Sequence, residues 1–163
     1  MSGVVVVGVD ASPSARKAAE VALGLAESLG ASLHVVTAFE SENSETYGVG
    51  SDKVRISNAD SSEIVAKDLA SSRPGVEVTH FAARGKPADS LIKEAIRLNA
   101  RLIVVGNRRM RGIGRLLGSV ANSVAHNAPC DVYIANTYED CPSPFSGGRT
   151  PAGPPAVVRP PFC

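Results

Sequence analysis

The residues best suited to binding chemistry lie in one segment, residues 104–120. This segment leaves an apolar run, crosses a loop rich in glycine and arginine, and reaches Gly118 and Ser119 at a predicted helix start. Gly106 and Gly118 have no Cβ, so backbone amides there can approach a bound group closely. The free N–H groups at the helix start and the Ser119 hydroxyl would donate hydrogen bonds to that group. These features predict a site for anionic oxygens, such as those of a phosphate.

The charge pattern around this loop points the same way. Residues 96–129 contain no Asp or Glu but hold six arginines: Arg97, Arg101, Arg108, Arg109, Arg111 and Arg115. Arginine pairs with phosphate oxygens in a bidentate manner. The same residues also fit a solvated basic loop, or a surface for an acidic partner or nucleic acid. No aromatic side chain lies among them to stack on bases, which argues against nucleic acid.

Other chemistry has less support in the sequence. Gly85 and Lys86 resemble part of a phosphate-binding P-loop, but the full Gly-x4-Gly-Lys-Ser/Thr spacing is missing. The histidines are scattered and show no metal-ligand spacing; they are His34, His80 and His126. Cys130 precedes an apolar run, which is typical of a small buried residue rather than a nucleophile. These patterns therefore assign no catalytic residue.

Composition and charge limit the class of protein. The 163 residues are 44% hydrophobic but only 4% aromatic, so Val, Leu, Ile and Ala must form the core, as is typical of parallel strands covered by helices. A net charge of +1 predicts no general affinity for nucleic acid or membranes. No apolar run is long enough to span a bilayer, and the first residues do not resemble a signal peptide. The odd cysteine set, Cys130, Cys141 and Cys163, does not suggest a disulfide framework, so we expect a cytoplasmic protein.

Short β-branched runs alternate with helical patterns along most of the chain. Strands are predicted at residues 4–9, 33–39, 77–83, 102–105 and 132–135. Helices are predicted after Ser12, over much of residues 54–69, from Pro87, and over residues 119–128, with a loop at residues 40–53. This alternation indicates βαβ units with right-handed crossovers and one parallel sheet, an α/β fold.

The last segment of the chain differs from the rest. Residues 137–163 hold seven of the eleven prolines and almost no apolar periodicity. We therefore predict an α/β domain over residues 1–136 and an extended or disordered tail over residues 137–163. Two proline pairs in the tail are possible polyproline ligands, although most such tails are simply solvated.

Several motifs, in order along the chain, are similar to those of the universal stress protein family. They are Val-Gly-Val-Asp-Ala-Ser-Pro-Ser-Ala at residues 7–15, Gly-Lys-Pro-Ala at 85–88, Ala-Arg-Leu-Ile-Val-Val-Gly at 100–106, Gly-Ser-Val at 118–120 and Ala-Pro-Cys at 128–130. The resemblance covers about residues 3–136. It implies a doubly wound, Rossmann-like sheet of five parallel strands in the order 3-2-1-4-5, with helices on both faces. Strands 1 and 4 would flank the topological switch point, where open α/β sheets bind ligands.

The resemblance also implies which residues bind an adenine nucleotide. One side of the pocket would be lined by Val9, Asp10 and Ala11, and the adenine would lie along Ala38. The ribose and phosphates would be held by Val105, Gly106, Arg108, Arg109, Gly118, Ser119 and Val120. Asp10 would lie near the ribose or a nucleotide-bound Mg²⁺. It is the one acid expected near the phosphates, so at most slow ATP hydrolysis is expected. On its own, an acid in this position is more often a cap for the turn.

One departure from the family pattern bears on the ligand. ATP-binding members carry Gly-x2-Gly-x9-Gly-Ser/Thr, whereas Arg109 takes the place of the second glycine here and eight residues separate it from Gly118. The Arg109 side chain would either fill the phosphate space or replace a backbone contact. ATP, ADP, AMP and cyclic AMP therefore all remain open as ligands.

Two classes of function follow from the resemblance. One is a nucleotide-binding regulatory module whose dimer responds to the ligand, and the other is a nucleotide-free interaction or stress-protection protein of the same fold. The last strand is predicted to lie at a sheet edge, where unpaired backbone groups favour association. The resemblance implies a homodimer through this strand, at Val132, Tyr133 and Ile134.

Overall fold

The computed structural model describes residues 3–10, 12–39, 44–47, 54–107 and 117–137. Its elements in chain order are β1 (Val4–Val9), α1 (Pro13–Leu29), β2 (Ser32–Phe39), β3 (Ser44–Tyr47), β4 (Val54–Ser57), α2 (Asn58–Ser72), β5 (Val78–Arg84), α3 (Pro87–Arg97), β6 (Leu102–Asn107), α4 (Ser119–Asn127) and β7 (Asp131–Asn136). The predicted alternation of strands and helices is confirmed.

The first βα unit shows how local sequence sets these boundaries. The β-branched run of β1 is buried on both faces, as expected of a central parallel strand. Ser12 caps α1, because its hydroxyl accepts a hydrogen bond from the Ala15 N–H at 3.3 Å. Pro13 occupies the first helical turn, where no N–H is needed. Gly30 ends the helix with a φ of 59°, a conformation that glycine adopts without strain.

Five of the strands form one parallel sheet in the spatial order β5-β2-β1-β6-β7. Numbered along the chain within this sheet, the order is 3-2-1-4-5, so the predicted fold is confirmed. In the central pairings, Val5 lies opposite Leu33 on one side and Leu102 on the other. The chain leaves β1 towards β2 and later returns to β6 on the other side, which opens a crevice at the carboxyl ends of β1 and β6.

The prediction for residues 40–69 is partly wrong. Ser44–Tyr47 and Val54–Ser57 form an antiparallel pair, where we predicted a loop and the start of a helix. The helix α2 begins only at Asn58. Val54 and Ile56 alternate with polar residues at a period of two, which fits a strand, and the β3 partner needed to pair it lies too far back in the sequence to be read from a local pattern.

Apolar side chains cover both faces of the main sheet. On one face, Val5, Val7, Leu33, Val35 and Val104 pack with buried residues of α1 and α2. On the other face, Val6, Val36, Ile103 and Val105 pack with α3 and α4. Helices on both faces were predicted, and this arrangement confirms it. Within the described ranges, no helix has the length and apolar character needed to cross a membrane.

One close contact fixes α3 over the crevice. A Cβ added to Gly8 of β1 would lie 2.8 Å from Leu91 Cδ1, a distance that real side chains do not tolerate. The absence of a side chain at Gly8 therefore lets α3 pack directly on β1. This contact places the first turns of α3 beside the carboxyl end of the sheet.

Candidate functional site

A cavity of about 220 Å³ opens at the carboxyl ends of β1 and β6. The ends of β1 and β2 and the first turns of α1, α3 and α4 surround it. Eight of the residues predicted to bind a nucleotide line this cavity: Val9, Asp10, Ala38, Val105, Gly106, Gly118, Ser119 and Val120. The fold thus brings together residues from four separate places in the sequence. The predicted residues Ala11, Arg108 and Arg109 lie outside the described residues.

One part of the cavity is apolar. Val36 and Ala38 lie on the same face of β2, and Pro87 and Leu91 come from the first turns of α3. Val36 and Leu91 are almost fully buried, at 1% and 2% exposure. A flat aromatic group is the natural occupant of such a slot, because it buries apolar area between two apolar walls.

Sequence reasoning missed Val36, Pro87 and Leu91 as cavity residues. The period-two alternation of β2 would have placed Val36 on the face of Ala38. For α3, the helix pattern identifies Leu91 as buried, but its place at the crevice depends on the contact with Gly8, which is a tertiary feature. Nothing in the local sequence indicates that contact.

A hydrogen-bonded turn forms the polar part of the cavity after β1. Asp10 Oδ1 accepts hydrogen bonds from the Ser12 backbone N–H, at 2.9 Å, and from the Ser12 hydroxyl. The Ser14 hydroxyl lies 3.0 Å from that of Ser12 and donates to it. Asp10 therefore caps the turn and also presents an exposed carboxylate at the cavity. Ser12 and Ser14 also line the cavity, and sequence reasoning had given Ser12 only the role of helix cap.

The start of α4 supplies hydrogen-bond donors at the other end of the cavity. Gly118 precedes the helix with no side-chain cap, and its carbonyl accepts from the Asn122 N–H at 2.9 Å. The N–H groups of the first turn, at Ser119, Val120 and Ala121, have no acceptor within the helix and lie along the cavity. Backbone N–H groups at a helix start favour an anionic group.

The two glycines at this end have different roles. A Cβ on Gly118 would meet no atom of the described residues within 4 Å, so a small side chain there would enter open space beside the cavity that Gly118 lines. A Cβ on Gly106 would lie 3.3 Å from Thr137 Cγ2 and 3.4 Å from Ala18 Cβ. Gly106 therefore also serves the close packing of β6 against α1, in addition to its predicted place at the ligand.

The described side chains form neither a metal site nor an activated nucleophile. In those ranges no three His, Cys, Asp or Glu side chains cluster as a metal site would require. Asp10 is the one acidic residue among the described residues that line the cavity. Cys130 is half-buried, and burial, assisted by the charge of Asp131, raises the pKa of its thiol. A raised thiol pKa disfavours the nucleophilic thiolate.

The strand β7 forms one edge of the main sheet, as predicted. Tyr133 and Ile134 are each 37% exposed, and Val132 packs against the core that α3 and α4 cover. An edge strand that exposes two large apolar side chains is a surface on which a second chain can pair.

Comparison with known proteins agrees with this architecture. The family model for the universal stress protein family matches residues 1–136. A universal stress protein from Thermus aquaticus is 33% identical over 129 residues, which span 77% of this chain and 92% of that protein.

Two solved structures show the same fold. A universal stress protein crystallised in complex with cAMP is 30% identical, with a TM-score of 0.64 over 84% of this chain and 98% of that one. A universal stress protein family protein from Arabidopsis thaliana with AMP bound has a TM-score of 0.60 over 85% of this chain and 94% of its own, at 19% identity. At that identity the second likeness shows the fold alone. Because the family model covers most of the sequence, the chain belongs to the universal stress protein family.

Proposed function

We propose that the protein binds an adenine nucleotide in the cavity at the carboxyl ends of β1 and β6. The main support for this proposal is that one cavity contains both an apolar slot and a row of unpaired backbone N–H groups. An aromatic base fits the first and a phosphate fits the second. The complex of a 30% identical family member with cAMP supports the same ligand class.

The cavity suggests an orientation for the nucleotide. The adenine would lie in the slot between Val36 and Ala38 on β2 and Leu91 on α3. The ribose hydroxyls would reach the Asp10 carboxylate, which would also contact a Mg²⁺ ion carried by a di- or triphosphate. The phosphates would lie at the N–H groups of residues 118–120. The predicted contacts of Ala11, Arg108 and Arg109 are part of this proposal.

The proposed role is binding rather than turnover. Phosphoryl transfer to water needs a group that positions or deprotonates the nucleophile. Among the described residues lining the cavity, Asp10 is the only acid, and its Oδ1 is already engaged by Ser12. At most slow ATP hydrolysis is expected. The protein would then act as a cytoplasmic stress-response module whose homodimer, formed through β7, responds to the bound nucleotide.

A panel of nucleotides tests the proposal and identifies the ligand. Isothermal titration with ATP, ADP, AMP and cyclic AMP, each with and without Mg²⁺, should give micromolar binding for at least one of them. A Mg²⁺ requirement for ATP or ADP would support the Asp10 metal contact. No heat with any nucleotide, from protein shown to be folded by circular dichroism, would contradict the proposal.

That negative result would favour a second function. Arg109 replaces a glycine of the family's ATP-binding pattern, and the loop before Gly118 is one residue shorter. If the Arg109 side chain fills the phosphate space, the protein would work through protein partners without a nucleotide. Restoration of binding by Arg109→Gly would establish this reading.

A further inference from the structure

A buried polar pair lies behind the apolar slot, on the face of the sheet that α3 covers. His34 of β2 is 5% exposed and Glu94 of α3 is 6% exposed. His34 Nε2 lies 3.3 Å from Glu94 Oε2, yet Nε2 makes no hydrogen bond in this geometry. On the other side of the ring, Nδ1 lies 2.7 Å from Thr79 Oγ1. The nucleotide site uses none of these groups.

The neutral ring carries one proton, on Nδ1 or on Nε2. The Thr79 hydroxyl, 2.7 Å from Nδ1, serves either tautomer, because it can accept from Nδ1–H or donate to the bare nitrogen. The contact of Nε2 with Glu94 Oε2 lacks hydrogen-bond geometry, so no strong bond joins the pair in this structure. A second proton gives His34 a positive charge and an N–H on both nitrogens, and it would convert the Nε2 contact into a charge-assisted hydrogen bond.

Two other charged or titratable groups lie near this pair. Arg97 of α3 donates from Nε and from its terminal nitrogen to Glu94 Oε2, at 3.0 and 2.7 Å. His80 lies on β5 next to Thr79, and the β1 residue opposite His34 is the apolar Val6. Burial lowers the pKa of His34, with smaller contributions from Arg97 and His80, while Glu94 acts to raise it. The ring is therefore neutral near pH 7 and gains its second proton on acidification.

The pair joins the two elements that form the apolar slot. His34, Val36 and Ala38 alternate along one face of β2, so Ala38 lies about 13 Å from His34 along the strand. On α3, Glu94 follows Leu91 by one helical turn. A stronger attraction between His34 and Glu94 would therefore act on the two elements that line the slot.

We propose that protonation of His34 draws Glu94 towards it, moves α3 onto β2, narrows the apolar slot and weakens nucleotide binding. This proposal rests on the proposed nucleotide site and adds a regulator to it. Acidification of the surroundings would release the nucleotide, and nucleotide binding would resist the protonation of His34. By linkage, the two effects are equal in size.

Cyclic AMP is the probe for this coupling, because its phosphodiester keeps one charge, whereas a phosphate monoester titrates near pH 6. Its dissociation constant is measured at about pH 7.5 and at the lowest pH at which circular dichroism shows the protein folded, because burial places the His34 pKa below the usual histidine value. The wild type and the matched control His80→Gln should lose about fivefold in affinity or more on acidification. His34→Gln and Glu94→Gln should show little change, because each removes one partner of the pair.

Histidine NMR provides the reciprocal measurement on the unaltered protein. The His34 ring signal is titrated with and without saturating cyclic AMP, and bound nucleotide should lower its pKa. This result holds even if His34→Gln fails to fold, which circular dichroism would reveal. Equal pH dependence in the wild type and Glu94→Gln, or a His34 pKa unmoved by ligand, would overturn the proposal. Absence of cyclic AMP binding at both pH values would instead count against the nucleotide site itself.

Discussion

Gly8 and Gly118 both line the cavity, but a side chain would have opposite consequences at the two positions. At Gly8 a Cβ would lie 2.8 Å from Leu91 Cδ1, inside the packed contact of α3 with β1. At Gly118 a Cβ would enter open space, and the backbone angles of −58° and 151° suit any residue. The first glycine therefore serves the fold, and the second keeps space free in the cavity.

This contrast predicts different stabilities for two matched variants. Gly8→Ala should lower the free energy of unfolding by about 1–3 kcal/mol, because Leu91 or the whole of α3 must shift. Gly118→Ala should change it by less than about 0.5 kcal/mol. Urea denaturation followed by circular dichroism measures both. Equal stability of the two variants would contradict the assigned packing of α3 on Gly8.

His34 predicts how stability depends on pH. Its pKa in the folded protein lies below the usual 6.5, with burial as the main cause. The folded state thus favours the neutral ring, and the resulting contribution to stability is present above about pH 6.5 and is lost as the pH falls below it. His34→Gln should flatten this part of the pH–stability curve. A curve for His34→Gln as steep as that of the wild type would contradict this assignment.

At the scale of elements, the main sheet follows from patterns that lie within the sequence itself. The buried β-branched run of β1, the cap at Ser12 and the stop at Gly30 act locally, so the sequence is sufficient to predict β1 and α1. The β3–β4 pair was missed, since each strand has four residues and depends on its partner. The cavity, too, combines features that local sequence predicts with features that depend on tertiary packing. Its turns at Asp10 and Gly118 carry recognisable motifs, whereas the wall at Leu91 exists only because α3 packs on Gly8.

The exposed edge strand β7 leads to a prediction about the oligomeric state. Replacement of the exposed Ile134 by Asp would place a charge on the proposed dimer surface, where it would lose its water. We expect Ile134→Asp to convert a dimeric wild type into a monomer in light scattering. Ile96→Asp is the matched control, because Ile96 is 62% exposed on α3, away from β7, and should leave the dimer intact. A wild-type protein that is monomeric at micromolar concentration would contradict the proposed interface.

At the scale of the whole molecule, we propose that residues 1–136 form the working unit and that the tail is separate from it. The family model ends at residue 136, and the Thr137 hydroxyl, which donates to the Asn107 carbonyl at 2.8 Å, anchors the end of β7. A chain truncated after Thr137 should therefore keep its thermal midpoint and its nucleotide affinity. A large loss of either property would show that residues 138–163 contribute to the domain or its site.

The fold thus places one ligand site where separate parts of the chain meet, and the wall at Leu91 depends on the packing of α3 on Gly8. The most direct test of this account is a titration of cyclic AMP into the wild type, Gly118→Ala and Gly118→Leu. We expect a leucine side chain at this position to occupy part of the cavity, because Gly118 lines it and no atom of the described residues lies within 4 Å of the Cβ position. We predict clear binding to the wild type, a modest loss for the alanine variant and no detectable binding for a folded leucine variant. Wild-type affinity in Gly118→Leu would contradict the account, since the nucleotide would then bind elsewhere.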